Sequence, residues 1–105
     1  MQDIDDPIIS EFRRLVQSAY GDRIERMVLY GSRARGTPRA DSDYDIALFL
    51  RSMGTVWHEL GPIADIELDL LDRTGARVHA VPCPAGSWRE KTGFMYALQR
   101  DGLDL

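Results

Sequence analysis

Two apolar runs, Met27-Val28-Leu29-Tyr30 and Ile46-Ala47-Leu48-Phe49-Leu50, flank a polar stretch that opens on Gly31-Ser32 and closes on Asp43-Tyr44-Asp45. Ten residues separate Ser32 from Asp43. Short apolar runs bounded by turn residues read as buried strands. Side chains two apart on a strand share a face, so Asp43 and Asp45 project together beside the Gly-Ser turn. Two parallel carboxylates need a shared cation or a proton. Oxygen-only ligands suit Mg²⁺, which takes one or two carboxylates and completes its shell with substrate phosphates. Backbone N–H groups and a hydroxyl at Gly31-Ser32 suit a phosphate. Together they read as a site for a nucleoside triphosphate with its metal. No Gly-Lys-Ser/Thr occurs, which excludes a Walker-type phosphate loop.

Composition narrows the partners. The 105 residues make one small domain with a modest core. A net charge of −4 argues against a general nucleic-acid binder. Within this acidic chain Arg33, Arg35 and Arg39 form a local positive patch in the polar stretch, better suited to phosphate than to a duplex. The lone cysteine, Cys83, rules out an internal disulfide and reads as a small loop residue between Pro82 and Pro84. The acidic N-terminus carries no signal peptide, and the longest apolar run, 46–50, is too short for a membrane span. A cytoplasmic location without membrane contact is the expectation.

The pattern predicts helix, strand, strand, helix, strand, helix. Asp6-Pro7 opens a first helix with an apolar face of Ile8, Phe12, Leu15, Val16 and Ala19, ended by Gly21. Strands follow over about 25–30 and 43–51. In the second, Tyr44, Ile46, Leu48 and Leu50 line one face and Ala47 and Phe49 the other, as in a central strand covered on both sides. A long helix over 55–73 presents Trp57, Leu60, Ala64, Leu68 and Leu71, with a kink or break at Gly61-Pro62. Glu67, Asp69 and Asp72 read as its solvated face. Ala76–Val81 is a third strand. Ser87-Trp88-Arg89-Glu90 is a capping box for a last helix, with Gly93 a weak point and Gly102 the stop. Leu103 and Leu105 suit a short edge strand.

Gly31-Ser32-Arg33-Ala34-Arg35-Gly36 followed by Ser42-Asp43-Tyr44-Asp45-Ile46 resembles the signature of the polymerase-β-like nucleotidyltransferase superfamily. It is most similar to the minimal members, the MNT domains, which are often encoded beside HEPN-domain proteins as toxin–antitoxin pairs. The resemblance implies an α+β fold, a small mixed sheet of three to four strands flanked by helices, with residues 1–105 as a single minimal domain. It implies Mg²⁺-dependent transfer of NMP, AMP from ATP, to an acceptor hydroxyl on a partner HEPN toxin. Asp43 and Asp45 would hold the metal and act with Ser32 in catalysis; Gly31, Ser32 and Arg35 would hold the nucleotide.

Full members carry a third carboxylate on the strand after the long helix. Here that strand reads Arg77-Val78-His79-Ala80-Val81, which puts His79 at the third position, as a base, a metal ligand or merely a packed or surface histidine. Two further readings follow. One is a catalytically degenerate nucleotide-binding antitoxin that acts by forming a complex. The other is a stand-alone adenylyltransferase for a small molecule, as with aminoglycosides. Larger members hold the acceptor on an appended helical domain, and nothing after residue 102 remains to build one, so a partner is expected to bring the acceptor.

Overall fold

The computed structural model describes residues 6–36 and 42–105. The elements are α1 (Pro7–Tyr20), β1 (Ile24–Tyr30), α2 (Ser32–Arg35), β2 (Tyr44–Leu50), α3 (Val56–Thr74), β3 (Val78–Pro84), α4 (Gly93–Asp101) and β4 (Leu103–Asp104). Four strands form one mixed sheet in the order β3-β2-β1-β4. β1 is antiparallel to both β2 and β4, and β3 is parallel to β2. The fold is the expected α+β class, and β2 is central. No helix among the described residues is long and apolar enough to cross a membrane.

The alternation along β2 divides the core. Tyr44, Ile46, Leu48 and Leu50 pack with α1, α3 and inward residues of β1 and β3. Ala47 and Phe49 pack on the opposite face with Val28, Cys83 and Met95 and Leu98 of α4. The result is helices, sheet, helix, in three layers. At about 25 cal/mol per Å² of apolar area, the larger cluster dominates stability.

α1 begins at its predicted cap. The Asp6 carboxylate accepts from the N–H of Ile8 at 2.8 Å and of Ile9 at 3.4 Å. Its second oxygen accepts from the Tyr44 hydroxyl at 2.9 Å, which ties the start of α1 to the start of β2. The buried stripe is Ile9, Phe12, Val16 and Tyr20, turned slightly from the predicted one. Ile8 and Leu15 are partly buried at its margin, and Ala19 is exposed.

Other expectations are corrected. α3 runs unbroken through Pro62 and buries Glu59, Ile63, Ile66 and Leu70. The predicted stripe lies outside: Trp57, Leu60, Leu68 and Leu71 are exposed. The helix carries two apolar stripes, and the core takes the one aimed at β2 and β3. Glu59 is held by an ion pair with Arg23.

β3 extends past Val81 to Pro84, so Cys83 is a buried strand residue rather than a loop residue. The prolines are tolerated because β3 is an edge strand. The Ala80 N–H turns outward, where the Glu67 carboxylate accepts it at 2.9 Å. Pro82 and Pro84 follow at the same alternate positions and have no N–H to leave unpaired. Glu67 is therefore an edge cap, not part of a solvated face.

Finally, Ser87 opens a separate 3₁₀ turn, Ser87–Arg89, and its hydroxyl donates to the Pro84 carbonyl at 2.7 Å. Thr92 caps α4 by accepting from the Met95 N–H at 3.1 Å, which leaves Gly93 harmless at the first helical position. β4 is the predicted terminal edge strand.

Candidate active site

The site is built at the end of the sheet where β1 passes into α2. Tyr30 on β1, Asp45 on β2 and His79 on β3 are register partners, one row across three strands. Asp43, two residues before Asp45, precedes the strand and faces the same way. The His79 ring Nε2 lies 3.1 Å from Asp43 Oδ2, and both side chains reach solvent. His79 thus borders the carboxylates as the sequence suggests.

Gly31 is fixed by its surroundings. Its φ is +76°, a left-handed conformation that favours glycine. A Cβ there would lie 2.5 Å from Asp45 Oδ2. The missing side chain lets the Asp45 carboxylate rest against the backbone of the turn. Gly31 also accepts from the N–H groups of Ala34 and Arg35, which closes the single turn α2. This turn is a helix that sequence reading missed. The leading N–H groups of a helix have no acceptor within it. Here that end of the turn opens at Gly31, against which the Asp45 carboxylate lies.

The two described arginines of the patch part, Arg33 to a backbone carbonyl and Arg35 to solvent. Arg33 donates from Nε and Nη2 to the Ser42 carbonyl at 3.0 and 2.8 Å. Its guanidinium also lies 3.8 Å from the centre of the Tyr44 ring. It is a clamp that joins α2 to the segment carrying Asp43. Arg35 is exposed, and its charge helps hold the Asp101 carboxyl below its usual range, after the larger effect of Arg100. Arg39 lies outside the described residues.

Tyr30 and Phe94 were not singled out by sequence. Their rings meet edge to face with centroids 5.4 Å apart, forming an aromatic wall next to Asp45. Burial, and then the Asp45 charge, push the Tyr30 phenol above its usual pKa. The signal was available, since Tyr30 shares a face with Val28 and stands directly before Gly31. A separate cavity of about 400 Å³ opens on the α1 and α3 side, lined in part by Ile8, Arg33, Tyr44 and Arg77. The carboxylates do not line it.

The donor set fits a hard divalent cation. Asp43 and Asp45 offer oxygens on one face, and no group of three or more His, Cys, Asp and Glu side chains poised for a metal occurs among the described residues. Two carboxylates would leave coordination places for phosphate oxygens, the general pattern of Mg²⁺ rather than of an all-protein cage. A transition metal would want more imidazole or thiolate.

A four-stranded mixed sheet, with a Gly-Ser turn packed against an Asp-x-Asp strand, defines the class: an α+β domain of the nucleotidyltransferase fold. The profile of the Polymerase beta, Nucleotidyltransferase family matches residues 14–82, and the chain belongs to that family. The match spans Gly31, Ser32, Asp43, Asp45 and His79. Over 49 residues the chain is 35% identical to a candidate protein adenylyltransferase, MJ0141, of Methanocaldococcus jannaschii. That stretch is 47% of this chain, which spans about half the length of the curated relative, 50%. Among solved structures, a toxin–antitoxin with AMP-PNP aligns with a TM-score of 0.66 at 17% identity, over 90% of this chain and 69% of that one. A mutant of the toxin–antitoxin MntA-HpeT aligns with a TM-score of 0.65 at 15% identity, over the same shares, 90% and 69%. At such identities these two likenesses establish the fold.

Proposed function

We propose that this chain is a single minimal nucleotidyltransferase domain that transfers AMP from ATP to an acceptor hydroxyl on a partner HEPN toxin. The observation that carries the reading is the contact of the Asp45 carboxylate with the backbone of Gly31. In this reading it brings the oxygens that would bind the metal next to the turn whose N–H groups would bind phosphate. Family membership, the adenylyltransferase name of one relative and the AMP-PNP in one structural neighbour support the choice of nucleotide. The toxin–antitoxin neighbours support the choice of partner.

In this reading Asp43 and Asp45 hold Mg²⁺. The ion, when bound, offsets the charge of the triphosphate and of the leaving pyrophosphate. Ser32 and the first N–H groups of α2 hold the outer phosphates, and exposed Arg35 stands ready for developing charge. The Tyr30–Phe94 wall restricts water on one side. The acceptor oxygen attacks the α-phosphorus, the bond to the bridging oxygen breaks, and pyrophosphate leaves with that electron pair. His79, oriented by Asp43, takes the acceptor proton.

A second reading rests on His79 itself. An imidazole where the family carries a third carboxylate favours a nucleotide-binding module that neutralises its partner by complex formation. The test is to incubate the chain with α-labelled ATP, Mg²⁺ and the product of the adjacent gene. Label on the partner is the expected result, and a stable complex without label supports the second reading. His79→Ala and His79→Asp refine it. A general base contributes about 10²–10⁴-fold. If both variants lose transfer alike, histidine is the working group. If His79→Asp transfers faster than the parent, the native site is degenerate.

A further inference from the structure

We propose that the outward stripe of α3 is a docking surface for a partner protein presenting an amphipathic helix, its apolar row flanked by Lys or Arg. Trp57 is 81% exposed and Leu68 62%, and Val56, Leu60 and Leu71 are exposed with them. Trp57, Leu60, Ala64, Leu68 and Leu71 recur at helical spacing along about 21 Å of axis. Trp57 alone presents roughly 200 Å². Scattered apolar residues on a surface are ordinary, but a continuous row marks an interaction site. The row cannot turn inward, because Ile63, Ile66 and Leu70 of the same helix already fill the core. A helix packed on one side only would carry polar residues on the other.

The surroundings select the occupant. Strand addition at the neighbouring edge of β3 is blocked, because Glu67 takes the Ala80 N–H and Pro82 and Pro84 have none. The partner must therefore pack side chains onto the helix. The solvent flank of the row carries Asp65 and Asp72, both exposed. Asp69 lies beyond them, and its partner Arg73 is shared with Glu11. A shallow cavity of about 620 Å³ opens among Leu68, Asp69, Leu71 and Asp72, an apolar seat with a carboxylate rim. Complementary charge selects a basic flank on the visitor. It also works against a second copy, whose own α3 would bring the same aspartates. The surface lies on the α1 and α3 layer, across the sheet from Asp43, Asp45 and His79. A partner held there leaves the carboxylate row open, and the inference does not depend on the transfer chemistry.

The test titrates the whole chain with two synthetic amphipathic helices that share one leucine row, one flanked by lysines and the other by glutamates. Tryptophan emission reports binding, with Trp57→Phe separating the signal of Trp57 from that of Trp88. The lysine peptide is expected to bind and shift the Trp57 emission to the blue, with the glutamate peptide at least about tenfold weaker. Leu68→Gln with Leu71→Gln should weaken the lysine peptide about tenfold or more at unchanged thermal midpoint. Asp65→Asn with Asp72→Asn should remove the preference between peptides. No binding, equal binding of both peptides to the parent, or binding that survives the double leucine change overturns the proposal. So does self-association, measured by sedimentation, that the leucine changes abolish, which would make a second copy the occupant. ATP affinity measured on the same variants keeps this result separate from the nucleotide reading.

Discussion

The two faces of the sheet are built to different ends. The face toward α1 and α3 is sealed: Phe12, Val16, Ile46, Leu48 and Leu70 are fully buried. The face toward α4 is half covered. That helix has nine residues and shields Val28, Ala47 and Phe49, while His79 and Val81 on β3 remain exposed. Charge without a partner cannot be held in a sealed layer, because desolvation costs several kcal/mol or more. The carboxylates occur where the cover ends, on a strand whose other face is locked in the core. Rigidity comes from one side of the sheet and access from the other.

The strongest test of this division is Asp43→Asn with Asp45→Asn. Mg²⁺-dependent ATP binding, followed by calorimetry, should disappear, and transfer should fall by about 10³-fold or more. The thermal midpoint should barely move, because both side chains lie on the open face. Unchanged ATP affinity would mean that the open face does not bind the metal. Leu70→Ala probes the sealed face. Urea unfolding should show a loss of about 2–5 kcal/mol, while the folded fraction binds ATP like the parent. A large loss of ATP affinity in that fraction would erase the separation of roles.

Ser32→Ala is a finer probe of the open face. Loss of a hydrogen bond to a charged group is worth about 1.5–3 kcal/mol, roughly ten- to a hundredfold in affinity. ATP should suffer more than AMP, and equal losses would show that the turn does not hold the outer phosphates. The smallest effect concerns Cys83, under the covered part of the same face. Burial raises its thiol pKa to about 11. At pH 8 the thiolate is scarce, so thiol labelling should be slow in the folded protein and fast in urea. Rapid labelling in the native state would show that α4 opens readily.

Legibility in the sequence followed the strength of local signals. Asp6-Pro7 marks α1 because its cap is made within one turn of chain. The two faces of β2 were readable because a period of two admits no ambiguity once one face is fixed. The closeness of the Gly31 turn to Asp45 was readable for a related reason: backbone geometry and spacing bring the two together. What failed depended on distant partners. α3 has two apolar stripes, and only the position of β2 and β3 decides which is buried. Pro82 and Pro84 hid the end of β3, since a proline is acceptable only if the strand is an edge. Ser87 competed with Thr92 as a cap, and the Pro84 carbonyl, which takes the Ser87 hydroxyl, decided between them. The Arg33 clamp and the edge cap at Glu67 join residues whose pairing no local pattern shows.

The Arg33 clamp bears on how such a domain can be altered. Its two hydrogen bonds to the Ser42 carbonyl staple the ends of the connection between α2 and β2. The length of the intervening chain is then decoupled from the position of Asp43. By the general rule for loop closure, each doubling of loop length adds only about 0.6 kcal/mol. A tag, a reporter or a ligand-gated insert placed between Gly36 and Ser42 would leave the carboxylate geometry in place so long as the staple holds. The position offers a handle for engineering control of the site from outside it.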